Sequence, residues 1–297
     1  MTQPEGALLV SRLTDEVLGA LHGYVRDQDM VTTLSASMDT DDVEGTVSED
    51  NQLSRGLIEI DDELIYVNAV GTTGLGGFSI PQWGRGQNGT TAAAHAQGAK
   101  VIQSPLYPRR RVQDEIYSVL REMFPRVYGV ATTLFDVDVV RTNYELPAAV
   151  WQVFAVEWHL PGPSFMWQPL ERWRINKTAT TQEIEMLGMR WPGTDRVRVT
   201  YSKVPPTSYS TDDLTTYGYT QDVHDIVVLG ATAKLLAKTE PSRLQVESVE
   251  SHGRSEVVQA GTIVQTAQRL YAMFDRRVEQ EAFRLQQRYT LQPHKTR

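Results

Sequence analysis

Cysteine is absent from the 297 residues, which removes disulfides, zinc–thiolate sites and thiol nucleophiles together and leaves no sign of an oxidising compartment. Long apolar runs are missing too. None approaches the ~20 residues that a membrane helix needs, and the opening MTQPEGALLV lacks the basic start and apolar core of a signal peptide. No membrane partner and synthesis in a cytoplasm are therefore expected. Basic residues are scarce in the first third: up to Ser104 there are 5 against 15 acidic ones, whereas the remainder holds 24 against 22. Such a surface repels nucleic acid, while staying compatible with DNA that slides past without sticking. The six histidines, His22, His95, His159, His224, His252 and His294, show no HExxH or HxxxH spacing and read as single surface or packing residues, and no GxSxG elbow marks a nucleophile. No catalytic residue, metal ligand or cofactor is expected from these patterns.

The chain is 40% hydrophobic and 22% charged, enough to bury a sizeable core in one large or two small domains. Leu13, Val17, Leu18, Leu21 and Val25 recur at helical spacing in the first 29 residues, with Thr14 as the cap and Asp15-Glu16 in the first turn. Over 30–104 the short runs VTTLSASM, GLIEI, ELIYVNAV, FSIPQW and AKVIQ, parted by Asp, Asn and Gly, predict a compact β domain. Val112, Ile116, Val119, Leu120 and Met123 predict a helix within 105–126 that Pro125 stops.

Alternating runs over 127–206 (VATTLFDVDVV, AVWQVFAVEW, ERWRIN, EIEMLGM, RVRVTYS), with turns at Pro161-Gly162-Pro163 and Pro192-Gly193, predict a second β unit of sandwich type. A Pro, Ser, Thr and Tyr-rich connector, 207–221, leads back to helical spacing within 222–287. Val223, Ile226, Val227, Ala231 and Leu235 make one face there, and Ile263, Ala267, Leu270, Phe274, Val278 and Phe283 another. Residues 288–297 read as an extended basic tail, and the stretch from Arg284 onward is expected to fray or extend instead of packing. The fold class is α+β: a helical bundle gathered from the N-terminal, middle and two C-terminal helices, carrying two β-rich insertions.

The stretch GRGQNGTTAAAHAQGAKV, 84–101, has the chemistry of a scaffold. Asn88-Gly89 suits the two positive φ values of a type I′ turn, and Gly84, Gly86 and Gly89 fit GxGxxG without the strand, turn and helix unit that makes it a dinucleotide fingerprint. Asp39, Asp41, Asp42 and Glu44 read as a solvated acidic loop, since the invariant Gly and terminal Glu of an EF-hand are missing. Asp61, Asp62 and Glu63 read as turn residues of a hairpin. Trp151, Trp158, Trp167, Trp173 and Trp191 concentrate in the second β unit, as core packing, subunit contacts or a carbohydrate platform. Arg109, Arg110 and Arg111 precede the second helix, where cations are disfavoured. They read as a contact for an anionic partner or as a solvated basic stripe.

Two stretches carry a resemblance. GLIEIDDELIYV followed by RG, GT, an alanine run, His, Gly and a hydrophobic return resembles a module of tailed-bacteriophage virion proteins. VHDIVVLGATAKLLAK, a loop, then IVQTAQRLYAMFDRRVEQEAF with a basic end resemble the last two helices of the head-to-tail adaptor, or connector, proteins of those phages. The two β-rich insertions depart from the smallest adaptors, which are mostly helical. The resemblance implies a structural virion protein, not an enzyme, without cofactor. It would form a homo-oligomeric ring, a dodecamer, between portal and tail around the DNA channel. Implied partners are the portal protein, stopper or tail proteins, the capsid protein, and genomic DNA passing without sequence-specific binding. The implied place is the head–tail junction of a virion assembled in the bacterial cytoplasm. Phe283, Arg284, Arg288, Tyr289, Leu291, His294, Lys295 and Arg297 are the residues expected to meet the portal. Two other readings stay open: a minor tail or tail-tip protein with a glycan-binding β unit, and a hydrolase with dispersed catalytic residues in a concave pocket.

Overall fold

The computed structural model describes residues 7–24, 29–49, 53–71, 76–137, 142–159, 166–177, 181–186, 196–206, 213–250 and 262–290. Trp191, His252, both Pro-Gly turns of the second β unit, and Leu291, His294, Lys295 and Arg297 lie outside them. Four α-helices are found among the described residues: α1 (Val10–His22), α2 (Arg109–Met123), α3 (His224–Glu250) and α4 (Thr262–Arg288). None is long and apolar enough to cross a membrane.

Several helix boundaries differ from the sequence reading. α1 begins at Val10, so Thr14 is not its cap but a fully buried residue inside it. Asp15 and Glu16 consequently fall outside its first turn. α2 begins at Arg109, so the three arginines form its first turn instead of preceding it. α3 runs from His224 to Glu250 and includes Pro241 within its span.

The chain divides into two compact units: unit one is Met1–Leu13, Tyr117–Gly230 and Gln268–Arg297, and unit two is Thr14–Ile116 and Ala231–Ala267. In unit two, β1 (Met30–Thr33), β3 (Gly56–Ile60), β4 (Glu63–Val67) and β7 (Lys100–Gln103) form an antiparallel sheet in the order β1-β7-β3-β4. A smaller sheet orders β2 (Glu44–Thr46), β6 (Gly77–Ser79) and β5 (Ala69–Val70) as β2-β6-β5. The β-branched and aromatic residues Ile58, Ile60, Ile65, Val67 and Phe78 come from both sheets into one fully buried core. Asp61, at φ 53, and Asp62 turn β3 into β4.

In unit one, β8 (Gly129–Asp136), β10 (Val150–His159), β11 (Trp167–Pro169) and β14 (Arg196–Lys203) order as β11-β10-β14-β8. The strands β9 (Asn143–Glu145), β12 (Trp173–Lys177) and β13 (Gln182–Met186) order as β12-β13-β9. Val156 and Val199 from the first sheet share a core with Trp173 and Ile184 from the second. The helices of this unit meet where α3 carries no side chain. A Cβ on Gly230 would lie 2.9 Å from the Phe274 ring of α4 and 3.0 Å from Val119 of α2. Only glycine allows that approach, and it lets Phe274 bury completely.

Candidate functional site

A dense polar constellation among the described residues of unit two centres on Glu63, the first residue of β4, which is 1% exposed. Its Oε1 accepts from Arg85 Nε (2.8 Å) and the Gly86 N–H (2.9 Å). Its Oε2 accepts from Arg85 Nη2 (2.9 Å), the Ala93 N–H (3.0 Å) and His95 Nε2 (2.9 Å). Arg85 spends its remaining N–H groups on the carbonyls of Asp39, Asp42 and Ala93, so all five donors of the guanidinium are used. The other ring nitrogen of His95, Nδ1, faces Asp61 Oδ2 at 2.8 Å. With a carboxylate on each nitrogen both must donate, so the ring is held as imidazolium. The hydrogen bond to Glu63 is the main cause raising the pKa of His95 above its ordinary value.

Burial opposes the ionisation of Glu63, but the hydrogen bonds from His95, Arg85, Ala93 and Gly86 outweigh it and hold the carboxyl down at about 2. The sequence reading is corrected here. Glu63 is no turn residue, and His95, 3% exposed, is no isolated packing residue. Asn88 (φ 52) and Gly89 (φ 80) do make a turn closed by Thr90 N–H to Gln87 O (3.1 Å). It joins no pair of strands but presents Thr90 Oγ1 to the Leu64 N–H on the edge of β4.

A cleft of about 550 Å³ in unit two is lined by Asp15, His22, Asp29, Glu59, Asp61, Asp62, Lys100 and Arg109 among others. Arg109, assigned in sequence to an external anion, donates to Asp15 (2.5 Å) and Asp62 (2.7 Å) of its own chain. Arg110 is half-buried and Arg111 exposed. Glu59 of β3, 2% exposed, accepts the Arg109 N–H at the start of α2 (2.6 Å). Burial pushes its pKa up to about 7, against the lowering effect of Arg109. Nothing in the sequence marks Glu59, which sits in the apolar run GLIEI. Among the described residues no group of three His, Asp or Glu is placed to hold a metal ion.

In unit one the C-terminal end of α4 is docked. Tyr289 packs against Phe154 of β10, ring centroids 5.6 Å apart, and Phe154 stacks on Tyr128 at 5.4 Å. Arg284 donates to Asp222 (2.5 Å) and Glu281 (2.7 Å), and Leu285 is 7% exposed. The expectation that the chain frays from Arg284 is therefore overturned for 284–289, because one face of α4 continues apolar through Leu285 to Tyr289. Phe283 is 63% exposed and Arg288 is exposed. Because the Arg284 pairs are largely solvent-facing, Arg284→Ala should cost only about 1 kcal/mol in a urea titration.

Among the described tryptophans of this unit, Trp173 is buried, Trp158 packs against the core, Trp167 lies under the Arg198 guanidinium at 4.5 Å and Trp151 meets Phe124 edge-on at 4.9 Å. These rings make packing contacts, while Trp151 keeps 37% of its surface exposed.

No family model and no curated protein matches the chain. Solved structures with some likeness include a chain from the neck of an empty GTA particle computed with C6 symmetry, at 16% identity and TM-score 0.23. That match covers 55% of this chain and 77% of that one. A chain from the neck of the native GTA particle computed with C12 symmetry matches at 15% identity and TM-score 0.23, over 54% and 80%. Likeness at that level carries no argument about function.

Proposed function

We propose that this protein is a structural component of the head–tail junction of a tailed-phage-like virion, an adaptor whose copies form a ring between portal and tail around the DNA channel. The observation that carries the reading is the end of α4: Tyr289 is anchored on Phe154, while Phe283 and Arg288 remain exposed beside it. In this reading the basic segment that follows in sequence engages the portal, and many equivalent contacts around the ring add avidity. The charged groups of unit two support an assembly role, since Arg85, Glu63, His95 and Arg109 are engaged by one another or by further carboxylates and backbone groups of the chain.

The test is a chain truncated after Thr290, which keeps Tyr289 on Phe154. The truncated protein should stay folded and soluble by circular dichroism yet fail to join portal-bearing heads in an assembly reaction. Incorporation at the level of the full chain would remove the portal role of the segment and, with it, this reading.

A further inference from the structure

The four-stranded sheet of unit one ends on β8, which has no further strand beside it among the described residues. It pairs with β14 over eight consecutive residues without a bulge, from Gly129↔Lys203 to Asp136↔Arg196. On its other side the Val130 N–H donates to Gly218 O at 3.0 Å. Antiparallel alternation then turns the N–H and C=O groups of Thr132, Leu134 and Asp136 to the same outer side, where no described residue pairs with them. The run from Val130 to Phe135, VATTLF, contains none of the charges or prolines that usually guard an edge strand. Leu134, 55% exposed, is the central one of the three outward-turned residues Thr132, Leu134 and Asp136.

We propose that this edge pairs with the same edge of a second copy of the chain, antiparallel and centred on Leu134. The occupant follows from self-complementarity. In that register Leu134 lies opposite Leu134, an apolar pair on a face where each alone is exposed. Thr132 lies opposite Asp136, a hydroxyl donor against a carboxylate that also accepts from Arg196 at 3.1 Å, on both sides of the two-fold. A one-residue slip would turn outward-facing groups against inward-facing ones and lose the ladder. Each copy also covers an aggregation-prone edge on the other. The pair is two-fold, whereas ring contacts are head-to-tail, so it belongs to free subunits and stands or falls independently of the portal role.

The cysteine-free chain makes the test direct. In full-length protein, Leu134→Cys places two sulfurs across the two-fold at about 5.5 Å between Cα atoms, within disulfide reach. Thr132→Cys places its own pair about 14 Å apart. Under mild oxidation Leu134→Cys should form covalent dimer at least ~10-fold faster than Thr132→Cys. In sedimentation, wild-type protein should show a concentration-dependent dimer that Leu134→Lys shifts to monomer. Equal cross-linking of the two cysteine variants, or a wild type that stays monomeric at every concentration, overturns the proposal. If a monomeric wild type enters particles and Leu134→Lys does not, the edge belongs to another virion protein and self-pairing is again excluded.

Discussion

Glu63→Gln should remove about 3–5 kcal/mol from the stability of unit two, the range for breaking a buried ion pair by taking away one partner. The glutamine keeps the shape but loses the charge and one of the two acceptor oxygens. Arg85 (9% side-chain exposure) would then lose the carboxylate it is paired with, and His95 (1%) would face only Asp61, itself largely exposed. Against a total of about 5–15 kcal/mol for a domain, such a loss should speed hydrogen exchange in β3, β4 and β7, which mass spectrometry would locate. The pH dependence carries the same signature. The folded pKa of Glu63, about 2, lies below its unfolded value of 4.5, so its stabilisation is complete above the unfolded value and is lost as pH falls from there toward 2. His95 acts in the opposite sense: its pKa is raised, so its contribution is complete below the unfolded value and is lost as pH rises through the folded one. Glu63→Gln should flatten the acid limb. A variant as stable as wild type at pH 7, with an unchanged acid limb, would refute the central role given to this carboxylate.

Glu59→Gln should do the reverse and stabilise the protein at alkaline pH. The folded Glu59 holds its proton up to about 7, against 4.5 when unfolded, so the folded state binds more protons across that window and stability falls as pH rises through it. A shift of that size corresponds to roughly 3 kcal/mol, and the side chain is buried enough for water to screen little of it. Glutamine is neutral at every pH and still offers an oxygen to the Arg109 N–H. The two proteins should therefore match near pH 4 and diverge by up to roughly 3 kcal/mol at pH 8. Urea titrations across that range are the measurement, and parallel curves would show that Glu59 is not the group responsible.

How far the sequence could be read is clear from particular residues. The runs GLIEI, ELIYV and RVRVTYS, and the spacing of Val112, Ile116 and Val119, were legible as strands and helix because period-2 and period-3.6 patterns are local properties of the chain. Asn88-Gly89 was legible as a positive-φ turn for the same reason. The stretch from Arg85 to His95 was recognisable as a module, but its purpose was not. Arg85, Gly86, Ala93 and His95 are separated from Glu63 by 22, 23, 30 and 32 positions, and no local pattern says that one carboxylate gathers them all. Arg109 likewise looked available to an external anion until Asp15 and Asp62, 94 and 47 positions away, were found beside it. At the other end, α4 extends to Arg288 and seats Tyr289 on Phe154, a contact across more than a hundred residues that composition alone read as a fraying basic tail.

By itself the sequence determined the absence of thiol chemistry, the α+β mixture, the positions of most strands and helices, and the acidic character of the first third, because these depend on residue identity and on neighbours a few positions apart. Only the tertiary structure decided which charges are spent inside the chain, which aromatic rings are core, and which strand ends a sheet with its hydrogen bonds open. Those properties depend on burial and on partners brought together by folding, and in the run Asp61-Asp62-Glu63 the exposed turn carboxylates and the buried one that opens β4 stand side by side with nothing local to tell them apart.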